Sequence, residues 1–206
     1  HHLLRRQRQM CIRDRPDADI DYTTDQLISA AYGSSGQRCM ALSVAVVFSD
    51  IKDEFIQDLE RKVQKLKFGL DDLHSNSFGP LVSKEHLESV KNYIEMSEGE
   101  GARVLIDGRD FLKRKNSNNG YFLGPTIIDN VSSNMKSYQN EIFGPVLQIM
   151  EVNELSDAIK LINNNRFGNG CCVFTRNGEQ ARTFSENVEI GTVSYTHLTL
   201  PTKQMV

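Results

Sequence analysis

Two short runs in this 206-residue chain combine residue types that can make and break bonds. The first is Gly36-Gln37-Arg38-Cys39-Met40-Ala41, where a thiol stands between a flexible, cationic turn and an apolar stretch over 42–48. A thiolate is an effective nucleophile, and Arg38 beside it favours the ionised form. The same cation can hold an anionic substrate. Gly33 and Gly36 permit a tight turn that brings backbone N–H groups toward a reacting oxygen. The second run, Glu141-Ile142-Phe143-Gly144-Pro145, offers a carboxylate and an aromatic ring. A carboxylate can accept from both hydroxyls of a ribose cis-diol. Each run also has a plain structural reading. Lone cysteines are commonly small buried hydrophobes, Arg38 can be a structural cation, and Ile142 and Phe143 can be core residues before a Gly-Pro turn. The five histidines offer no evident partner base. His74 and His86 lie near a predicted helix and the others near the chain ends, which weakens a Cys-His hydrolase reading.

The elements that must position these groups follow from periodicity. Apolar residues at helical spacing predict helices over 25–32, 53–67, 83–97, 154–163 and 178–187. Asp50 is a candidate cap for the second of these, and Gly99 a stop for the third. Short apolar, β-branched runs predict strands over 42–48, 102–106, 126–131, 145–151, 170–175 and 189–193. The strand at 42–48 begins just after Cys39, which puts the sulfur at a sheet edge rather than inside the sheet. Alternation of strand and helix implies an α/β fold with a parallel sheet covered by helices. Cys171 and Cys172 point to opposite faces of their strand and read as packing residues. Lys113 to Gly120 reads as a polar surface loop.

Composition sets the outer limits. The length suits one domain with a proper core, and 39% hydrophobic with 25% charged residues is ordinary for a globular chain. No apolar run approaches the ~20 residues that span a bilayer. Four cysteines at 11, 39, 171 and 172 lack zinc spacings, so no metal site is expected, and a reducing, cytoplasmic setting suits a free Cys39. The ends differ from the middle. Residues 1–15 hold five arginines and one aspartate, and residues 194–206 a single lysine, so the formal −3 becomes −8 over 16–193. An acidic body argues against a nucleic-acid partner. Residues 1–15 and about 194–206 resemble translated sequencing-adapter read-through. They are expected to be non-native flanks, disordered or arbitrarily placed.

The run around Cys39 is similar to the nucleophile motif of the aldehyde dehydrogenase superfamily, and in detail to its CoA-acylating, methylmalonate-semialdehyde branch. The likeness continues through Phe78-Gly79-Pro80-Leu81, Glu100-Gly101-Ala102, Asp107-Gly108-Arg109, Gly124-Pro125-Thr126-Ile127-Ile128, Glu141 to Val146 and Asn163 to Gly170. It covers residues 16–193. The resemblance implies the parallel-sheet catalytic domain of the aldehyde dehydrogenase fold, without its Rossmann-type cofactor domain. No Gly-rich dinucleotide fingerprint follows a strand in 16–193.

The resemblance further implies that Cys39 is the catalytic nucleophile and that Glu141 and Phe143 hold the nicotinamide ribose and ring of NAD, while the charge of Arg38 leaves it as either a binder of the substrate carboxylate or a structural cation. Coenzyme A would be the acyl acceptor, and propionyl-CoA or acetyl-CoA the product from a small-molecule aldehyde. The parent protein is expected to be a homo-oligomer, in the mitochondrial matrix if its source is eukaryotic, and the isolated fragment to be inactive. A hydrolysing aldehyde dehydrogenase of broad specificity and a non-catalytic module with a buried thiol remain as alternatives.

Overall fold

A computed structural model describes residues 9–13, 18–67, 79–113 and 120–196, with backbone alone for 9–13, 111–113 and 195–196. Gln9–Arg13 forms the first strand, β1. Ile20–Tyr32 follows as α1, Leu42–Phe48 as β2, Lys52–Val63 as α2 and Lys84–Gly99 as α3. Arg103–Ile106 is β3, Thr126–Asp129 β4, Lys136–Gln139 the short α4 and Val146–Val152 β5. Leu155–Asn163 (α5), Gly170–Phe174 (β6), Gly178–Asn187 (α6) and Val193–Thr196 (β7) complete the order. The seven strands form one sheet in the order β3-β4-β5-β2-β1-β6-β7. All neighbours are parallel except the edge pair β3 and β4, which is antiparallel. The expected parallel sheet is therefore mixed at one edge.

Strand β2 shows why the sheet sits where it does. Val44, Val46, Val47 and Phe48 are all buried, so both faces of the strand are covered, as a continuous apolar run in a parallel sheet requires. Helices α1, α2 and α5 turn Leu27, Ala31, Phe55, Leu59, Ala158 and Ile162 into the same core. Tyr32 is buried at the end of α1 and donates to the Thr126 carbonyl at 3.0 Å, and burial holds its phenol well above the usual range. Under the other end of β5, Lys52 Nζ pairs with Asp129 at 2.9 Å and with Glu151 at 3.0 Å. Burial alone would lower this amine's pKa, but the two carboxylates outweigh it and raise it.

Four expectations need correction. Residues 1–15 were expected to have no defined place, yet Gln9–Arg13 lies inside the sheet, paired in register with β2 on one side and β6 on the other. The last strand is Val193–Thr196 rather than 189–193, so residues 194–196 also belong to the sheet. Helix α1 starts at Ile20, five residues before the apolar pattern becomes clear, because Asp19 caps it by accepting from the Tyr22 N–H. The expected cap Asp50 instead lies in a 3-10 turn, and Ile51 occupies the cap position of α2 without a side-chain bond. Phe78, His74 and residues 114–119 of the polar loop lie outside the described residues.

Candidate active site at the strand mouths

Strands β2 and β5 are parallel neighbours with Val44 opposite Gln148. Cys39 stands three residues before β2, and Phe143 three residues before β5. The two chemistry-bearing runs are thus the entrances to adjacent strands, about 4.8 Å apart in the pairing direction. Their contact is close. Gly36 has φ +67°, and a Cβ there would stand 2.2 Å from the Gly144 carbonyl oxygen. Ser34 and Ser35 are left-handed as well, at φ 54° and 56°. Three such residues in a row fold the chain sharply into the Gly36–Gly144 junction.

From that junction the chain makes a turn closed by Ala41 N–H donating to the Arg38 carbonyl at 3.0 Å. Cys39 and Met40 stand at its corner and both are exposed. The Cys39 carbonyl accepts from Asn169 Nδ2 at 3.0 Å, and the same amide nitrogen lies 2.8 Å from Met40 Sδ. Asn169 precedes β6, so a third strand entrance holds the thiol-bearing turn. The Cys39 N–H makes no hydrogen bond among the described residues. It therefore remains available as a donor to an oxygen held at the sulfur.

Gln37 reaches the other way. Its Nε2 donates to the Pro80 carbonyl at 3.2 Å and its Oε1 accepts from the Val82 N–H at 2.9 Å. Ser35 Oγ adds a bond to the Gly79 carbonyl at 2.5 Å. The segment 79–82 is thereby tied along the thiol-bearing turn.

Arg38 turns back onto α1. Its Nη2 donates to the carbonyls of Ser29 at 2.6 Å and Ala30 at 3.1 Å. These lie in the last turn of the helix, where a cation also suits the helix dipole. This geometry favours the structural reading of Arg38, while Nε and Nη1 make no hydrogen bond among the described residues.

Glu141 is half-buried, Ile142 is buried, and Phe143 is 39% exposed with φ 55°. A bulky side chain seldom adopts this left-handed backbone. Gly144 behind it has no room for a side chain, since a Cβ would meet Val90 Cγ2 of α3 at 2.9 Å. Sequence reasoning missed two residues that build this site, His86 and Asn169. The His86 Nε2 lies 2.8 Å from the Phe143 carbonyl oxygen, and the two rings pack with centroids 6.5 Å apart. The four-residue spacing from His86 to Val90 was the available signal, for it sets both side chains on one helix face.

Of the remaining cysteines, Cys171 is buried and burial pushes its thiol up to about 12. Cys172 is disulfide-bonded, a role its spacing did not indicate. No cluster of metal-ligating side chains occurs among the described residues. No helix among them is long and apolar enough to cross a membrane.

What the arrangement offers is an exposed thiol, an available N–H, and an acceptor carboxylate with an exposed ring at the neighbouring strand mouth. The carboxylate and the ring are of the kinds that could meet a ribose cis-diol and a flat aromatic ring. A family profile described as "Aldehyde dehydrogenase family" matches residues 15–205, past Val193 where the resemblance was taken to stop. The chain is 44% identical over 178 residues to a mitochondrial, acylating methylmalonate-semialdehyde/malonate-semialdehyde dehydrogenase of Bos taurus, covering 86% of this chain and 33% of that one. It is 45% identical over 176 residues to malonate-semialdehyde dehydrogenase 2 of Oceanobacillus iheyensis, covering 85% and 36%. The chain thus spans about a third of the length of these relatives. Among solved structures, a methylmalonate-semialdehyde dehydrogenase from Oceanimonas doudoroffii superposes with TM-score 0.86 at 46% identity, covering 92% of this chain and 38% of that one. A putative methylmalonate-semialdehyde dehydrogenase of Sinorhizobium meliloti, complexed with NAD, gives 0.86 at 36% identity over the same shares.

Proposed function

The chain belongs to the aldehyde dehydrogenase family, and on that premise we propose that it carries the nucleophile-bearing part of an NAD-dependent, CoA-acylating semialdehyde dehydrogenase. The observation that carries the reading is the junction of Gly36 with Gly144. It sets an exposed Cys39 beside the run that holds Glu141 and Phe143.

In this reading the Cys39 thiolate adds to the aldehyde carbon, forming a C–S bond while the carbonyl π electrons move to oxygen. The unpaired Cys39 N–H donates to that oxyanion. Glu141 would hold the ribose of NAD by accepting from its hydroxyls, and the exposed Phe143 ring would face the nicotinamide. When bound, the dinucleotide supplies a hydride acceptor. The sulfur of Cys39 carries the acyl group as a thioester, and the thiol of coenzyme A takes the acyl group from it. The acylating name of the bovine relative supports coenzyme A over water as acceptor. For malonate-type substrates the bond from the α-carbon to the free carboxylate also breaks, carbon dioxide leaves, and the α-carbon takes up a proton in its place. Arg38 keeps Nε and Nη1 for a substrate carboxylate while Nη2 holds α1. The parent is proposed as a homo-oligomer.

Iodoacetamide labelling with mass spectrometry tests the nucleophile. Cys39 is expected to label far faster than Cys171, and Cys39→Ala to remove the fast label. In the full-length enzyme the same substitution is expected to abolish aldehyde-dependent NADH formation, with a CoA thioester as the normal product. Equal labelling of the two thiols, or activity surviving Cys39→Ala, sinks the assignment. A free acid as product would instead favour a hydrolysing dehydrogenase.

A further inference from the structure

We propose that His86 is a positioning residue for the cofactor site, a donor that latches Phe143 in its left-handed conformation. The inference rests on the proposed role of Phe143 but concerns a residue outside both site motifs. A carbonyl oxygen only accepts, so the 2.8 Å contact between His86 Nε2 and the Phe143 carbonyl requires a proton on Nε2. Both the neutral tautomer carrying that proton and the imidazolium provide it.

Left to itself, a phenylalanine at φ 55° would relax, since a bulky side chain in this backbone region is strained. The surroundings must hold it, and they do so from one helix face. His86 grips the Phe143 carbonyl, while Val90, one turn further along α3, fills the space against Gly144. The imidazole is itself fixed. The His86 backbone N–H donates to the N-cap Ser83 Oγ at 3.1 Å, and its ring packs on the Phe143 ring at an interplanar angle of 59°. The latch therefore sets the direction in which a 39% exposed aromatic ring faces, which is what a flat cofactor ring would sense.

The test uses His86→Leu, His86→Gln and Phe143→Ala in the full-length enzyme, with His86 nitrogen shifts measured by NMR in this chain. The glutamine amide can place a donor near the position of Nε2. Loss of one net hydrogen bond predicts that His86→Leu raises the KM and the dissociation constant for NAD about three- to tenfold, with kcat little changed. His86→Gln should restore most of the affinity. The Nε2 shift should be that of a protonated nitrogen in the neutral protein. A bare Nε2, or a His86→Leu loss that falls on kcat and is not rescued by glutamine, overturns the latch. If Phe143→Ala leaves NAD affinity unchanged while the Nε2 signature persists, the cofactor role of Phe143 fails separately from the latch.

Discussion

Replacing Gly36 with alanine tests the junction on which the site depends. Two costs add. The residue sits at φ +67°, where a side chain costs about 1–2 kcal/mol. The new Cβ would also stand 2.2 Å from the Gly144 carbonyl oxygen and 2.6 Å from its carbon, about 1 Å short of a normal C···O contact. Both partners are backbone, so no side chain can swing away. Forced separation of packed groups costs about 1–3 kcal/mol, which brings the sum to about 3 kcal/mol. For a domain of this size that lowers Tm by about 6–12 °C. The relief must be taken by parting the two strand entrances. A misplacement of about 1 Å there lowers turnover of the full-length enzyme by on the order of a hundredfold. Gly99→Ala is the control, for a Cβ at Gly99 meets nothing within 4 Å and the φ is ordinary. It should melt at or slightly above the wild-type temperature. Were Gly36→Ala to melt with the control and keep its turnover, the junction would not position the site and the reasoning would fail.

Arg38→Met separates two roles of one cation. Loss of its bonds to the Ser29 and Ala30 carbonyls should lower Tm by a few degrees, about 1 kcal/mol. A substrate role predicts in addition a raised KM for a carboxylated semialdehyde over an uncharged aldehyde. An unchanged ratio of the two would leave Arg38 as a helix cap alone. Asp58 sets an acid limb to stability. Burial alone would raise its pKa, but hydrogen bonds from Arg61, Thr24 and Lys62 outweigh that and lower it to about 2. A depressed folded pKa gives stability that is present above the unfolded value, near 3.9, and lost as pH falls toward 2. Asp58→Asn should flatten the Tm-against-pH curve over that window, and an unaltered acid limb in thermal melts would refute it.

The site motifs were legible because they are local. A thiol before a strand and a carboxylate before another strand can be read from eight or ten residues each. What brings them together is the pairing of β2 with β5, and adjacency in a sheet with crossover order is not written in either run. His86 escaped notice for the same reason. Its role exists only because α3 lies across the entrance to β5, where Val90 meets Gly144. As a sequence feature it was one exposed-looking histidine in the first turn of a helix. Arg38 shows what a run of six residues leaves out: its Nη2 is held by the end of a helix nine residues upstream in the chain, a partner that only the fold brings within reach.

The strands misjudged are those with the weakest apolar signal. Gln9–Arg13 has glutamine at one end and arginine at the other, and no periodicity argument would select it. Its place follows instead from what β2 and β6 lack. Both have backbone groups that a parallel sheet must pair, and both pair with β1, with Val44 and Cys171 each opposite Met10. A buried gap between two apolar strands leaves N–H and C=O groups unsatisfied, which costs more than the poor β propensity of one short segment. Backbone satisfaction thus outranks composition at the centre of the sheet. The same ordering explains why Asn169, a polar residue at the mouth of β6, can reach Cys39 at all: β1 is the single strand that separates β6 from β2. The hold of Asn169 on Cys39 depends on that spacer being one strand wide.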